Sequence, residues 1–173
     1  MLVPHARIVE LLSTIPGVQA QAAQVLIAEC GLDMTVFPTV GHFASWAGAC
    51  PGHHQSAGRR KSGRARPGPK WLTSQLTECA RAAVRTKETY LASHFAQLRG
   101  RRGEQKAIGA IRHDLLVAYY HVVRDKVPYK DLGPNWQRKR YSVEHRARRL
   151  QRQLEALGFA VTIEPTEPEE EAA

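Results

Sequence analysis

Apolar residues recur at helical spacing through most of the chain. Ile8, Leu11, Leu12 and Ile15 share one face of a helix predicted over residues 3–15. Pro16-Gly17 must break it, and Ala23, Leu26 and Ile27 resume the period over residues 20–30, where Gly31 is the natural stop. Thr39 reads as the N-cap of a short helix through Trp46, anchored by Phe43 and Trp46. Residues 71–86 place Leu72, Leu76, Cys79, Ala80 and Ala83 on one face. A continuing or kinked helix follows over 88–99, with Tyr90, Leu91, Phe95 and Leu98, and Gly100–Gly103 reads as a basic turn. Residues 104–125 form the longest apolar helix, facing a core through Ile108, Ile111, Leu115, Ala118, Tyr119 and Val122. Pro and Gly mark 127–134 as a loop. Ser142 caps a last helix over 143–157, whose seam is Val143, Leu150, Leu154 and Leu157, ended by Gly158. Phe159–Ile163 alternates like one short strand, and the acidic stretch from Glu164 reads as disordered. The pattern is all-α: a helix-hairpin-helix over 1–31, a helical domain over 32–163 and an acidic tail over 164–173.

One stretch carries no such pattern. Between residues 50 and 70, Arg59, Arg60, Lys61, Arg64, Arg66 and Lys70 put six positive charges in twelve residues without an acid. Gly58, Gly63, Gly68, Pro67 and Pro69 lie among them, so the stretch is expected as a surface loop. Cys50-Pro51-Gly52 and His53-His54 precede its one central hydroxyl, Ser56, flanked by Ala57 and Gly58. A serine in a small-residue, arginine-rich loop is suggestive of a phosphate-directed nucleophile, and composition takes it no further.

Charge sharpens this. Residues 53–150 hold 23 Lys and Arg against 7 acids, while residues 1–52 and 151–173 are net negative within a chain of +9. Such a distribution is the footprint of a polyanionic partner. The helix-hairpin-helix offers a second contact. The glycine of Ile15-Pro16-Gly17-Val18 allows the tight turn, and the N–H groups at Gly17, Val18 and Gln19 can face a backbone phosphate without reading bases. Gln19 stands where this pattern usually has a second glycine. Cys30, Cys50 and Cys79 are widely spaced, without a C-x-x-C pair, and read as free thiols in a reducing cytoplasm. His113 and His121 lack a nearby carboxylate or third ligand and read as packing or surface residues, so no metal site is expected. No phosphate-binding G-x-x-x-x-G-K-[ST], dinucleotide fingerprint, signal peptide or membrane span is present.

Ile15-Pro16-Gly17-Val18, Phe43–Gly48, Cys50-Pro51-Gly52 and Ser56-Ala57-Gly58-Arg59-Arg60, with Pro128–Gly133 and Leu154–Gly158, together resemble the C-terminal half of insertion-sequence transposases of the "one-ten" family, also labelled one-sixteen and nine-oh-two. The likeness runs from about Ile8 to Pro165. It implies a helical domain whose serine, here Ser56, attacks DNA and becomes joined to it; Ser45 and Ser62 are the neighbouring hydroxyls. It further implies a RuvC-like domain with a DEDD carboxylate set that binds Mg²⁺, a bridge RNA that guides the choice of DNA, a homo-oligomer, and a bacterial cytoplasm near the nucleoid. Only seven residues precede Ile8, so the chain is expected as a C-terminal fragment that binds no cofactor itself. Two rival readings are a non-catalytic nucleic-acid-binding helix-hairpin-helix module, and a helical scaffold whose arginines face a protein.

Overall fold

The computed structural model describes residues 5–52, 54–63, 65–136 and 143–164. The chain forms two compact units, residues 1–135 and 136–173. In the first, the elements are α1 (Ala6–Leu12), α2 (Ala20–Cys30), a 3-10 turn (Met34–Val36), α3 (Val40–Trp46), β1 (His54–Ser56), β2 (Arg59–Ser62), α4 (Lys70–Ala83), α5 (Tyr90–Arg102) and α6 (Glu104–Asp125). The expectation of a helical fold holds, with one small two-stranded sheet that the apolar pattern did not announce.

Helix α6 is the axis of the unit, packing against α1, α3, α4 and α5. Its buried residues Ile111, Leu115, Leu116, Tyr119, Val122 and Val123 recur at the spacing that lines one broad face. Phe43 of α3 stacks on Tyr119 with ring centroids 5.9 Å apart, and Phe37 and Trp46 close over Phe43. The two tyrosine hydroxyls leave the apolar core by donating to backbone carbonyls: Tyr119 to Gly31 at 2.6 Å and Tyr120 to Phe37 at 3.3 Å. Burial raises the Tyr119 hydroxyl well above its ordinary pKa, so it remains a donor.

Caps set several boundaries. Thr39 accepts from His42 N to open α3, as expected, and Thr89 accepts from Ala92 N to open α5. The basic stretch at Gly100 stays inside α5, and the chain turns only at Gly103, whose φ is 82°. Pro128–Gly133 works as a strap. Asp131 accepts from the Tyr90 amide at the start of α5 and from the Gly133 amide within the strap, while Tyr129 N donates to Thr14 Oγ1 beside the first hairpin. Ser93 fastens the end of the strap by donating to Pro134 O at 2.7 Å.

Helices α1 and α2 share one core with α4 and α6, so the expected boundaries at 31 and 163 do not coincide with the division at 135. In the second unit, α7 (Val143–Glu155) ends where Gly158 takes φ 91° and the Phe159 and Gly158 amides return to Leu154 O and Glu155 O. Ser142, the expected cap, lies outside the described residues, as does the acidic stretch beyond Glu164. The strand expected over Phe159–Ile163 is absent. Within this unit no second strand stands among the described residues to pair with it, and Gln151 of α7 donates to Val161 O at 2.9 Å. Leu150 and Leu154 of α7 and Leu157 in the turn after it, three of the residues of the expected seam, are exposed.

Candidate serine site and nucleic-acid interface

The basic stretch is a hairpin on a fixed base. Gly48 and Gly68 approach so closely that a Cβ on Gly48, at φ 70°, would come within 2.5 Å of Gly68 N and 2.7 Å of Arg66 O. A Cβ on Gly68 would collide with the Ala47 carbonyl. No side chain fits between the two strands of backbone, so glycine at both positions lets the outgoing and returning legs meet.

Beyond this base, β1 pairs antiparallel with β2 in the register His54 to Ser62, Gln55 to Arg60 and Ser56 to Arg59, with an irregularity after His54. Ala57 and Gly58 make the two-residue turn with φ of 49° and 75°. Both positive angles are what a tight hairpin of this length demands, and Ala57 accepts a conformation that costs a non-glycine residue about 1 kcal/mol or more. Ser56 and Arg59 are therefore directly opposite at the closing pair, where cross-strand neighbours share a face. Both are exposed. The expectation of an irregular loop is corrected here: Ala-Gly supplies the turn, and backbone pairing needs no apolar side chains.

The other expected residues fall around this hairpin. Arg60 and Lys61 belong to β2, Arg66 is exposed at the base, and Lys70 opens α4. Arg64 lies outside the described residues. Lys70 Nζ stands 5.7 Å from the Trp71 ring, and that indole is 70% exposed. Pattern reading took Trp71 as the start of a helix and missed its exposure; an aromatic beside a cation cluster was the available signal.

The helix-hairpin-helix turn is built differently. Gly17 has φ 80°, and a Cβ there would meet Ala83 N of α4 at 2.5 Å, with the Cys79 carbonyl closer still. Val18 is buried and its amide donates to Ile15 O, whereas Gln19 is exposed at the start of α2. The groove beside this turn is lined by Ser13, Thr14, Gln21, Gln75 and Glu78 among others, and by no lysine or arginine among the described residues. The basic residues thus follow one another along β2 and the base of the hairpin, while the groove beside Gly17 is lined by none among the described residues. Cys30 and Cys79 are buried under these helices, and desolvation pushes the Cys30 thiol up to about 12 and raises Cys79 as well.

Kinship is decided by the stretch from Val9 to Ala96: residues 9–96 match the model of the Transposase IS116/IS110/IS902 family. That span is more than half the chain. The chain belongs to this transposase family. The match takes in part of α1, all of α2, α3 and α4, the first half of α5 and the whole serine hairpin. Helix α6, which carries much of the core, lies beyond it. Membership in a transposase family implies dealings with DNA. No curated protein and no solved structure matches the chain. Among the described residues no helix is long and apolar enough to cross a membrane.

Proposed function

We propose that this transposase-family chain is the serine-bearing part of a DNA transposition machine, and that Ser56 is its nucleophile. The observation that carries the reading is the closing pair of the hairpin. Ser56 faces Arg59 across the strands, on a base held by Gly48 and Gly68, with Arg60, Lys61 and Arg66 following. Attack by the Ser56 hydroxyl forms an Oγ–phosphorus bond and breaks the bond to the leaving strand's oxygen, while the hydroxyl proton passes to a base. Arg59 lies where the charge that grows on the non-bridging oxygens needs a cation.

Among the described residues no three His, Cys, Asp or Glu side chains gather as a metal site. We place the metal-holding carboxylates on a RuvC-like domain that works with this chain. There Mg²⁺ would act as a Lewis acid on the attacked phosphate, an effect of several kcal/mol. A bridge RNA guiding the DNA choice, a homo-oligomeric assembly and a place at the bacterial nucleoid belong to the same proposal.

The test is a denaturing gel with labelled DNA. The chain alone with Mg²⁺ should form no adduct, because each 1.36 kcal/mol of lost stabilisation costs tenfold in rate. With the RuvC-like domain and guide RNA added, a covalent protein–DNA band should appear, vanish in Ser56→Ala and persist in Ser62→Ala. A band that survives Ser56→Ala would move the chemistry to another hydroxyl. Salt-sensitive binding with no band under any condition would leave a nucleic-acid-binding module without chemistry.

A further inference from the structure

A second basic site lies beside the base of the hairpin. Helices α5 and α6 flank a cleft of about 1050 Å³, and both legs of the basic segment reach it through Ala49, Pro51, Gly63 and Ala65. Its cations are Arg102, Lys106 and Arg112, from the end of α5 and the first half of α6. Arg102 and Lys106 are exposed at the rim. Arg112 is half-buried, with Nη1 3.5 Å from Thr77 Oγ1 and Nε shut away from solvent without an acceptor. His113 Nδ1 is likewise buried and unpartnered. Leaving a buried polar atom unmet costs about 1–3 kcal/mol, and both of these lie behind the cleft wall rather than on its open surface.

One carboxylate stands among the described residues of the cleft lining, against three cations, so the lining stays net positive. Asp114 Oδ2 sits 2.6 Å from His94 Nδ1, and both side chains are 18% exposed. Tyr90 Oη lies 3.4 Å from the same ring nitrogen. His94 shields most of the acid, and the rest of the lining is cationic, apolar or, at Gln105 and His113, polar. Leu98, Ala110 and Pro51 supply the apolar part.

We propose that this cleft seats a single-stranded segment of nucleic acid, with its phosphates on Arg102, Lys106 and Arg112 and a sugar or base on the apolar wall. The scale of the cleft favours a strand, whose sugar or base can enter it. Roughly 300–1,000 Å³ is the scale of pockets that hold a small molecule. One or two nucleotides can enter such a space, whereas a double helix could reach only the rim. A strand so held would run alongside the two legs that carry the Ser56 hairpin. This inference rests on the chain being a nucleic-acid binder, and it assigns the single-stranded contact to residues outside the hairpin.

Fluorescence anisotropy with the full chain tests it, using a fluorescein-labelled oligothymidine of about 20 nucleotides and a duplex of equal length. Arg102→Ala with Lys106→Ala should weaken single-strand binding about tenfold. The salt slope should fall by about 1.4 for two phosphates lost from a single strand. Duplex binding should change less than twofold. The exposed pair Arg85→Ala with Lys87→Ala, outside the cleft lining, should change neither beyond twofold. On adding the oligothymidine, the His94 ring signals should shift, identified by their loss in His94→Gln. Equal losses on strand and duplex, a like loss in the Arg85/Lys87 control, or unmoved His94 signals would overturn the cleft. If only the alanine variant of Arg59, Arg60, Lys61, Arg64 and Arg66 loses affinity, the cleft falls and the hairpin reading stands. If the wild-type chain binds neither probe, both fall.

Discussion

Gly17 and Gly58 both take positive φ, and each needs glycine for a different reason. At Gly58 nothing lies within 4 Å of an added Cβ, so the demand is torsional. At Gly17 the same kind of angle is combined with a backbone that fills the space, since α4 passes where the Cβ would stand. Overpacking a core costs about 1–3 kcal/mol, and the left-handed conformation adds about 1 kcal/mol. Gly17→Ala should therefore lower the melting temperature by about 4–16 °C, at about 2–4 °C per kcal/mol in a chain of this size. Gly58→Val should cost the hairpin its turn, seen as loss of the Ser56–Arg59 cross-strand proton contact, while melting temperature stays within about 2 °C. A large fall in melting for Gly58→Val would show that the hairpin belongs to the core. An unchanged Gly17→Ala would show that α4 can yield.

Among the elements, sequence periodicity located best those that bury a face. Residues 20–30 and 104–125 come out with the expected bounds because one apolar stripe and a glycine at one end define each. The hairpin was illegible for the complementary reason. Its strands carry charge rather than alternating apolar residues, and their pairing is a backbone property joined by a two-residue turn. The His94–Asp114 contact was hidden too, since twenty residues separate its partners on two helices whose crossing no local pattern encodes. Composition around Ser56 only suggests a phosphate-directed hydroxyl, and the nucleophile role proposed for it rests on the family resemblance. An element held off the core should be separable from it. Replacing Arg59, Arg60, Lys61, Arg64 and Arg66 together with Ala should weaken duplex binding strongly. Surface changes of this kind usually stay within about 0.5 kcal/mol each, so helix content should hold and melting should shift by only a few °C. If the wild-type chain neutralises about six phosphates, its log affinity falls with log salt at a slope near −5, and the variant's slope should be smaller by about 4. Salt-independent binding by the wild-type chain, or a collapse of helicity in the variant, would defeat this division of labour.

At the scale of the whole molecule, one question separates the reading by motifs from the reading by packing: whether residues 1–31 are a module. As a motif the helix-hairpin-helix invites that view, yet α1 and α2 bury Leu12, Ala23, Leu26 and Ile27 in the core shared with α4 and α6. Gly17 is seated on α4, and Tyr119 of α6 donates to Gly31 at the end of α2. Elements tied in this way should unfold together. The three cysteines report on it without any added probe. Cys50, half-buried ahead of the hairpin, should react with a thiol reagent in the native protein. Cys30 on α2 and Cys79 on α4 are buried, and burial disfavours the thiolate that reacts, strongly so at Cys30 with its pKa pushed up to about 12. In rising urea at about pH 8, where an unfolded thiol begins to ionise, both should become labelled at one common midpoint, coincident with loss of helix signal. If Cys30 is labelled at clearly lower urea than Cys79, the first two helices open alone, and the hairpin is a module after all. If both are labelled before helix is lost, the core around Tyr119 is looser than its packing implies.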